Sequence, residues 1–219
     1  MPRPAVVHHT RYRCDIGTHV FPMEKYELVR RELVHLGLVR EDEILAPAPA
    51  TRAELELVHT PEYLDDLERL RHTPRTACSE LPRTHEIVEA YALAAGGTTL
   101  AAREALARGA AVNLGGGFHH AFADLASGFC YLNDLAVATR VLQHEGRVRR
   151  VAIVDVDLHQ GNGAARIFRS DPDVFTFSIH QERLYPIKET GTLDIGLDDG
   201  IGDGAYHERL ASGLERVWA

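Results

Sequence analysis

Four consecutive aliphatic residues, Val151-Ala-Ile-Val154, run directly into Asp155-Val-Asp-Leu-His-Gln-Gly-Asn-Gly163. An apolar run of this kind leaves no polar face, so it predicts a strand buried on both sides. Side chains at i, i+2 and i+4 of a strand share a face, and Asp155, Asp157 and His159 are therefore expected to start out aimed the same way. Two carboxylates and an imidazole at the carboxyl end of a buried strand need compensation, and a divalent metal supplies it. The alternative is a hydrogen-bonded structural cluster at a strand–loop junction. The Gly-Asn-Gly run that closes the segment reads as a turn.

Strands of this sort recur between helical segments. Ala5-Val-Val7 predicts a short strand before a polar His8-His9 loop. A helix is expected over 25–36, from Leu28, Glu32 and Leu36 with Val29 and Leu33, and Gly37 supplies the stop. Thr51-x-x-Glu54 is a capping box, and Thr60-Pro61 is a second helix start. Residues 71–83 mix Pro, Thr, Ser and Cys without periodicity and read as a surface loop. A long Ala-rich helix follows over 86–108, with Gly96-Gly97 marking a close neighbour. Then come a buried strand over 110–114, a helix over 134–145, a strand over 151–156, a short helix over 163–169 and a strand over 174–179. The alternation implies parallel β–α units, hence an α/β fold with a mainly parallel sheet. One domain over 1–219 is expected, since no linker divides the chain.

Composition narrows the function. The formal net charge is −8, which argues against a dedicated nucleic-acid binder and suits a cationic substrate or a basic protein tail. Cys14, Cys78 and Cys130 are odd in number and contain no CxxC pair, so neither a zinc ribbon nor a disulfide framework is indicated. With no visible signal peptide or membrane-length apolar run, a cytoplasmic setting is expected.

In open α/β sheets, ligands gather at the carboxyl ends of the strands. The strand at 110–114 is followed there by Gly115-Gly-Gly-Phe-His-His120, the strand at 151–156 by the Asp/His cluster, and the strand at 174–179 by His180. Adjacent histidines at such a rim can divide proton work, one accepting from water and the other passing a proton onward. A base of this kind needs a carboxylate or amide on its other ring nitrogen, and Asp155 and Asn162 are available. Asp157 and His159 supply an oxygen and an imidazole nitrogen suited to zinc.

Gly115-Gly-Gly-Phe-His-His120, Ser127-Gly-Phe-Cys-Tyr-Leu-Asn-Asp134 and Asp155-x-Asp-x-His-Gln-Gly-Asn-Gly163, in this order, resemble the zinc-dependent histone deacetylase family of arginase–deacetylase fold. Gln160 and Ser178-Ile-His-Gln-Glu-Arg183 resemble its class IV branch and bacterial relatives. Arg11-Tyr12, His19-x-Phe21-Pro22 and Leu57-Val-His-Thr-Pro-Glu-Tyr63 agree with it, and the likeness runs from about Val6 onward. The resemblance implies a three-layer α/β/α sandwich and Zn2+ held by Asp157 and His159. It makes His120 the general base, His119 the histidine held by Asp155, and Asn162 the residue orienting His120. It places Phe129 in the wall of a narrow channel for an acyl-lysine side chain, where the residue alone reads as core packing. A monovalent cation, K+, is implied near Asp155, Asp157, His159, Ser178 and Ile179, and a second near Phe168, Asp171 and Val174. Cys130 reads as a small buried apolar residue, and His59 and His180 as structural.

The family draws a third zinc ligand, an aspartate, and an oxyanion-stabilising tyrosine from later segments. Asp194, Asp198, Asp199 and Asp203 lie in what reads as a polar Gly-rich connection, and Tyr185 and Tyr206 lack the tyrosine's context. The expectation is a domain without its C-terminal strands. The reaction implied is zinc-dependent hydrolysis of the amide of an acyl-lysine, by this chain or, if it is an inactive fragment without those two groups, only by the full-length form. The alternatives are an acetylpolyamine or other small-molecule amidohydrolase, and a non-catalytic acyl-lysine or metal-binding module.

Overall fold

The computed structural model of the chain describes residues 3–218, which divide between Arg147 and Val148 into two units. In the first, β1 (Ala5–Val7) pairs in parallel with β2 (Ala111–Asn113), Ala5 opposite Ala111. Helices α1 (Lys25–His35), α2 (Arg52–Leu55), α3 (Pro61–Glu68), α4 (His85–Arg108) and α5 (Asp134–His144) complete it, with single 3-10 turns at Thr10–Tyr12 and Glu41–Glu43.

Local chemistry explains where these helices start. The Thr51 hydroxyl accepts the Glu54 amide while the Glu54 carboxylate accepts the Thr51 amide, the reciprocal pair expected of a capping box. Thr60, Thr84 and Asn133 cap α3, α4 and α5 by side-chain acceptance alone, taking the amides of Tyr63, Ile87 and Ala136. Mid-way along α4, a Cβ on Gly96 would stand 1.9 Å from the Ala48 carbonyl oxygen, so the connector at 47–49 approaches only because Gly96 has no side chain. The core that forms around α4 includes Tyr63, Ile87, Leu93, Tyr131, Leu132 and Val137.

One expectation changes in this unit, that of a buried strand before the Gly-rich loop, and two others gain detail. Leu28, Val29 and Leu36 of the α1 region are exposed, whereas Tyr26 is buried against Tyr12 and Phe21. One large aromatic thus sets the roll of α1, against the row of smaller aliphatics. Strand β2 is not buried, since Val112 is 48% exposed. The segment over 71–83 is a surface loop, as expected, and is tied down at several points. Buried Asp66 accepts from the Thr73 hydroxyl and Arg75, Thr76 is fully buried, and the Tyr131 hydroxyl donates to the Leu81 carbonyl.

The second unit contains β3 (Val151–Asp155), α6 (Asn162–Phe168), β4 (Val174–Gln181), β5 (Leu193–Leu197) and α7 (Asp203–Trp218). Its sheet runs β3-β4-β5, with Asp155 opposite Ser178 and Ile179 opposite Ile195. Every paired strand among the described residues is parallel to its neighbour, as the alternation of strands and helices requires. The doubly buried strand is β4. In β3 only Ile153 is buried and Val154 is 39% exposed, because β3 pairs along one edge of this sheet. His180 lies inside β4, not after it, and Asn162 opens α6 instead of a turn. The stretch read as a polar connection contains β5, whose apolar Leu193 and Leu197 join Phe177 and Ile179 in the core.

Candidate active site

The Gly-rich loop after β2 is fastened by a chain of polar side chains. Tyr12 donates its hydroxyl to Asn113 Oδ1 at 2.9 Å, and Asn113 Nδ2 donates to the Ala94 carbonyl (3.2 Å) and to Thr98 Oγ1 (3.0 Å). Thr98 in turn donates to Asp134 Oδ2 at 2.6 Å. The Asp134 carboxylate also accepts the amides of Gly117 (3.0 Å) and Phe118 (2.7 Å). Gly116 has φ +98°, and a Cβ there would lie 2.4 Å from Asp134 Oδ2, so glycine is what lets the loop pass this carboxylate. Burial pushes the Asp134 carboxyl above its ordinary pKa, and the Thr98 hydroxyl and the two amides pull it back toward ionisation.

This loop delivers His119 and His120 to the interior, 8% and 6% exposed, with ring centroids 4.1 Å apart and planes inclined at 44°. Two imidazoles this close, on one loop, are placed to share proton work.

Phe129 is half-buried, and its ring meets His19 edge-on at 4.6 Å and Phe21 at 5.7 Å. Its carbonyl accepts the Tyr91 hydroxyl, which fixes the backbone beneath the ring. It packs against the core while its ring also borders His19 and Phe21. Cys130 is a buried thiol, as expected, and the three cysteines are unbridged.

In the second unit the strand ends at Asp155, so strand alternation does not carry through to His159. Two successive carboxylate-capped turns take its place. Asp155 Oδ1 accepts the Asp157 amide at 3.0 Å, and Asp157 Oδ1 accepts the His159 amide at 2.8 Å. The side chains of Asp157 and His159 are 53% and 34% exposed, so they are not buried charges. The same turns bring Asp157 Oδ1 to 3.2 Å from His159 Nδ1. Two ligands of a tetrahedral zinc, each about 2.0–2.1 Å from the metal, stand roughly 3.3 Å apart. The pair therefore fits two corners of a zinc site. Among the described residues no group of three or more His, Cys, Asp or Glu side chains could hold a metal, so no third corner accompanies them.

Gln160 is buried beside this turn. Its amide donates to the Glu189 carbonyl (2.7 Å) and to Asp194 Oδ1 (2.8 Å), and its oxygen accepts the Glu189 amide (2.8 Å). The loop after β4 is thereby held to the 157–160 turn, and the Tyr185 ring stands edge-on to His159 at 5.8 Å. No local sequence signal marks Tyr185, whose place depends on a contact twenty-nine residues away from Gln160 to Glu189. Asn162 is buried at the first position of α6. Ser178 and Ile179 lie buried in β4, and the Ser178 hydroxyl is 2.9 Å from His180 Nδ1. The hydroxyl implied for a monovalent cation is thus engaged by His180.

Parallel sheets, interleaved helices and these two loops define an α/β protein of the arginase–deacetylase type, and solved structures agree. An HDAC homolog from Aquifex aeolicus superposes with a TM-score of 0.82 at 27% identity, covering 98% of this chain and 64% of that one. An HDAC homolog complexed with SAHA gives 0.83 at 26% identity, with the same coverage. The histone deacetylase domain matches residues 19–219, and the chain belongs to the histone deacetylase family. An uncharacterized protein of Picosynechococcus is 44% identical over 213 residues, covering 96% of this chain and 71% of its own length. Histone deacetylase 8 of Xenopus tropicalis is 35% identical over 221 residues, covering 93% and 57%. The acetoin utilization protein AcuC of Bacillus subtilis is 34% identical over 198 residues, covering 85% and 50%. The chain thus spans between half and about seven-tenths of the length of these curated relatives. By family it is a hydrolase of the deacetylase class.

Proposed function

We propose that this chain carries the acid–base and metal-holding residues of a zinc-dependent deacylase acting on the amide of an acylated lysine. The observation that carries the reading is the buried imidazole pair, His119 and His120, 4.1 Å apart on a loop fastened to a buried carboxylate. Asp157 and His159 would hold the zinc, their donor atoms already 3.2 Å apart. Bound zinc polarises an acyl carbonyl and lowers the pKa of water to about 7. His120 takes a proton from the attacking water, and the imidazole pair returns one to the amine nitrogen as the C–N bond breaks, releasing carboxylate and free lysine.

The family pattern gives Asp155 and Asn162 orienting roles toward the two histidines. Phe129, with its ring set against His19 and Phe21, suits a thin aliphatic side chain. The family match runs through both units, which supports reading 1–219 as one domain. K+ at Asp155, Asp157, His159, Ser178 and Ile179 rests on the family pattern alone. No helix among the described residues is long and apolar enough to cross a membrane, which is compatible with a cytoplasmic site of action.

Acetate release from an acetyl-lysine peptide, with and without added zinc, tests the reading. A chelator should abolish turnover, and His120→Ala should lower kcat by about 10²–10⁴-fold, the usual contribution of a general base. Full activity in His120→Ala, or indifference to zinc, would overturn it. An acetylated polyamine in the same assay distinguishes a small-amine substrate from a peptide.

A further inference from the structure

The two residues that open α5 hold the backbone on both sides of the histidine pair. We infer that Asn133 and Asp134 form one clamp that sets where His119 and His120 stand, and that they are positioning residues for the proton transfers. The catalytic consequence rests on the deacylase reading above, whereas the clamp itself does not.

Asp134 grips the loop ahead of the pair, accepting the amides of Gly117 at 3.0 Å and Phe118 at 2.7 Å. Asn133 grips it within and just after the pair, donating Nδ2 to the carbonyls of His119 at 3.4 Å and Ala121 at 3.0 Å. Neither residue has measurable exposure, so no water competes for these bonds. The clamp is itself anchored three ways. Asn133 Oδ1 caps α5 by accepting the Ala136 amide at 3.0 Å, the Asn133 amide donates to His59 Nε2 at 3.1 Å, and Thr98 donates to Asp134 at 2.6 Å.

A helix cap needs only an oxygen acceptor, which Ser or Thr provides as well as Asn. What Asn133 adds is an N–H pair pointing back at the histidine loop. Asp134 likewise exceeds the needs of a first helical turn: placed there, a carboxylate is favoured by the helix dipole even when exposed, yet this one is fully buried and spent on the amides before His119. The two side chains together fix four backbone groups over five residues, which leaves the imidazoles little freedom except at their own χ angles.

The role can be separated from fold stability. Asn133→Ser retains the cap oxygen but loses the donors to His119 and Ala121. Asp134→Asn retains volume and one acceptor but no longer takes both amides. Each variant is compared with the wild-type chain in three ways: amide hydrogen exchange at Gly117 and Phe118, the ring 15N resonances of His119 and His120, and kcat against KM on the acetyl-lysine peptide with zinc. The expected result is loss of exchange protection at Gly117 and Phe118 in Asp134→Asn, displaced ring resonances in both variants, and a fall in kcat of up to about 100-fold with KM nearly unchanged. Folded Asn133→Ser with wild-type ring resonances and wild-type kcat would overturn the clamp, whatever Asp134→Asn does. If the wild-type chain has no turnover, that outcome bears on the activity of this chain alone, and exchange and ring resonances still decide the clamp.

Discussion

His59 shows how a single side chain can be read only with its surroundings. Nε2 accepts the Asn133 amide, so the ring proton sits on Nδ1, and burial holds the pKa at about 4, with the carbonyls of Ala123 and Phe122 pulling it partly back up. The unfolded chain protonates this ring near pH 6.5 and the folded chain only near pH 4. Stability is therefore intact above pH 6.5 and drains away as pH falls toward 4, by roughly 3 kcal/mol for this ring. In urea titrations across that window, His59→Gln should flatten the pH dependence by about one proton; an unchanged slope would remove His59 from the account. At Asp157 and His159 the prediction concerns metal. Either Asp157→Ala or His159→Ala should weaken zinc binding by at least about 100-fold in calorimetric titration, because a lost ligand costs more than a lost outer partner. That Asp157 and His159 lie close together was expected from strand alternation; the cause is different, two turns capped by Asp155 and Asp157.

Helix starts were the most legible elements. Thr51 and Thr60 each satisfy an amide three residues on, and such chemistry is written locally. Strand β5 was not legible, because Leu193-Asp-Ile-Gly-Leu197 has a glycine and sits among turn residues. Its hydrogen bonds to β4 make it a strand. The helix α1 was legible, but which face it buries was not: aliphatic spacing marks a stripe, and only packing says whether that stripe or Tyr26 turns inward. In α4 the local and tertiary signals agree at Gly96. Gly96→Ala should destabilise the chain by about 1–3 kcal/mol, although alanine is the better helix former, because its Cβ would overlap the Ala48 carbonyl. A thermal melt reads this directly, and a stabilised variant would show that the connector can move aside.

At the scale of the whole molecule, the net charge of −8 bears on substrate choice. Acetyl-lysine peptides with flanking Lys or Arg should show a lower KM than acidic ones, and raising salt to about 1 M should erase the difference, since the Debye length then falls to about 3 Å. Equal KM values at low salt would show that the charge is unrelated to substrate. By itself the sequence determined the α/β class, the family and the starts of several helices, because apolar periodicity, caps and ordered motifs are local properties of the chain. Tertiary structure alone decided that β4 is the buried centre of its sheet, that Tyr185 stands beside His159, and that Asn133 and Asp134 hold the histidine loop. Each of these depends on hydrogen bonds or packing between residues well apart in the chain, and a sequence does not show which distant donor will meet which acceptor.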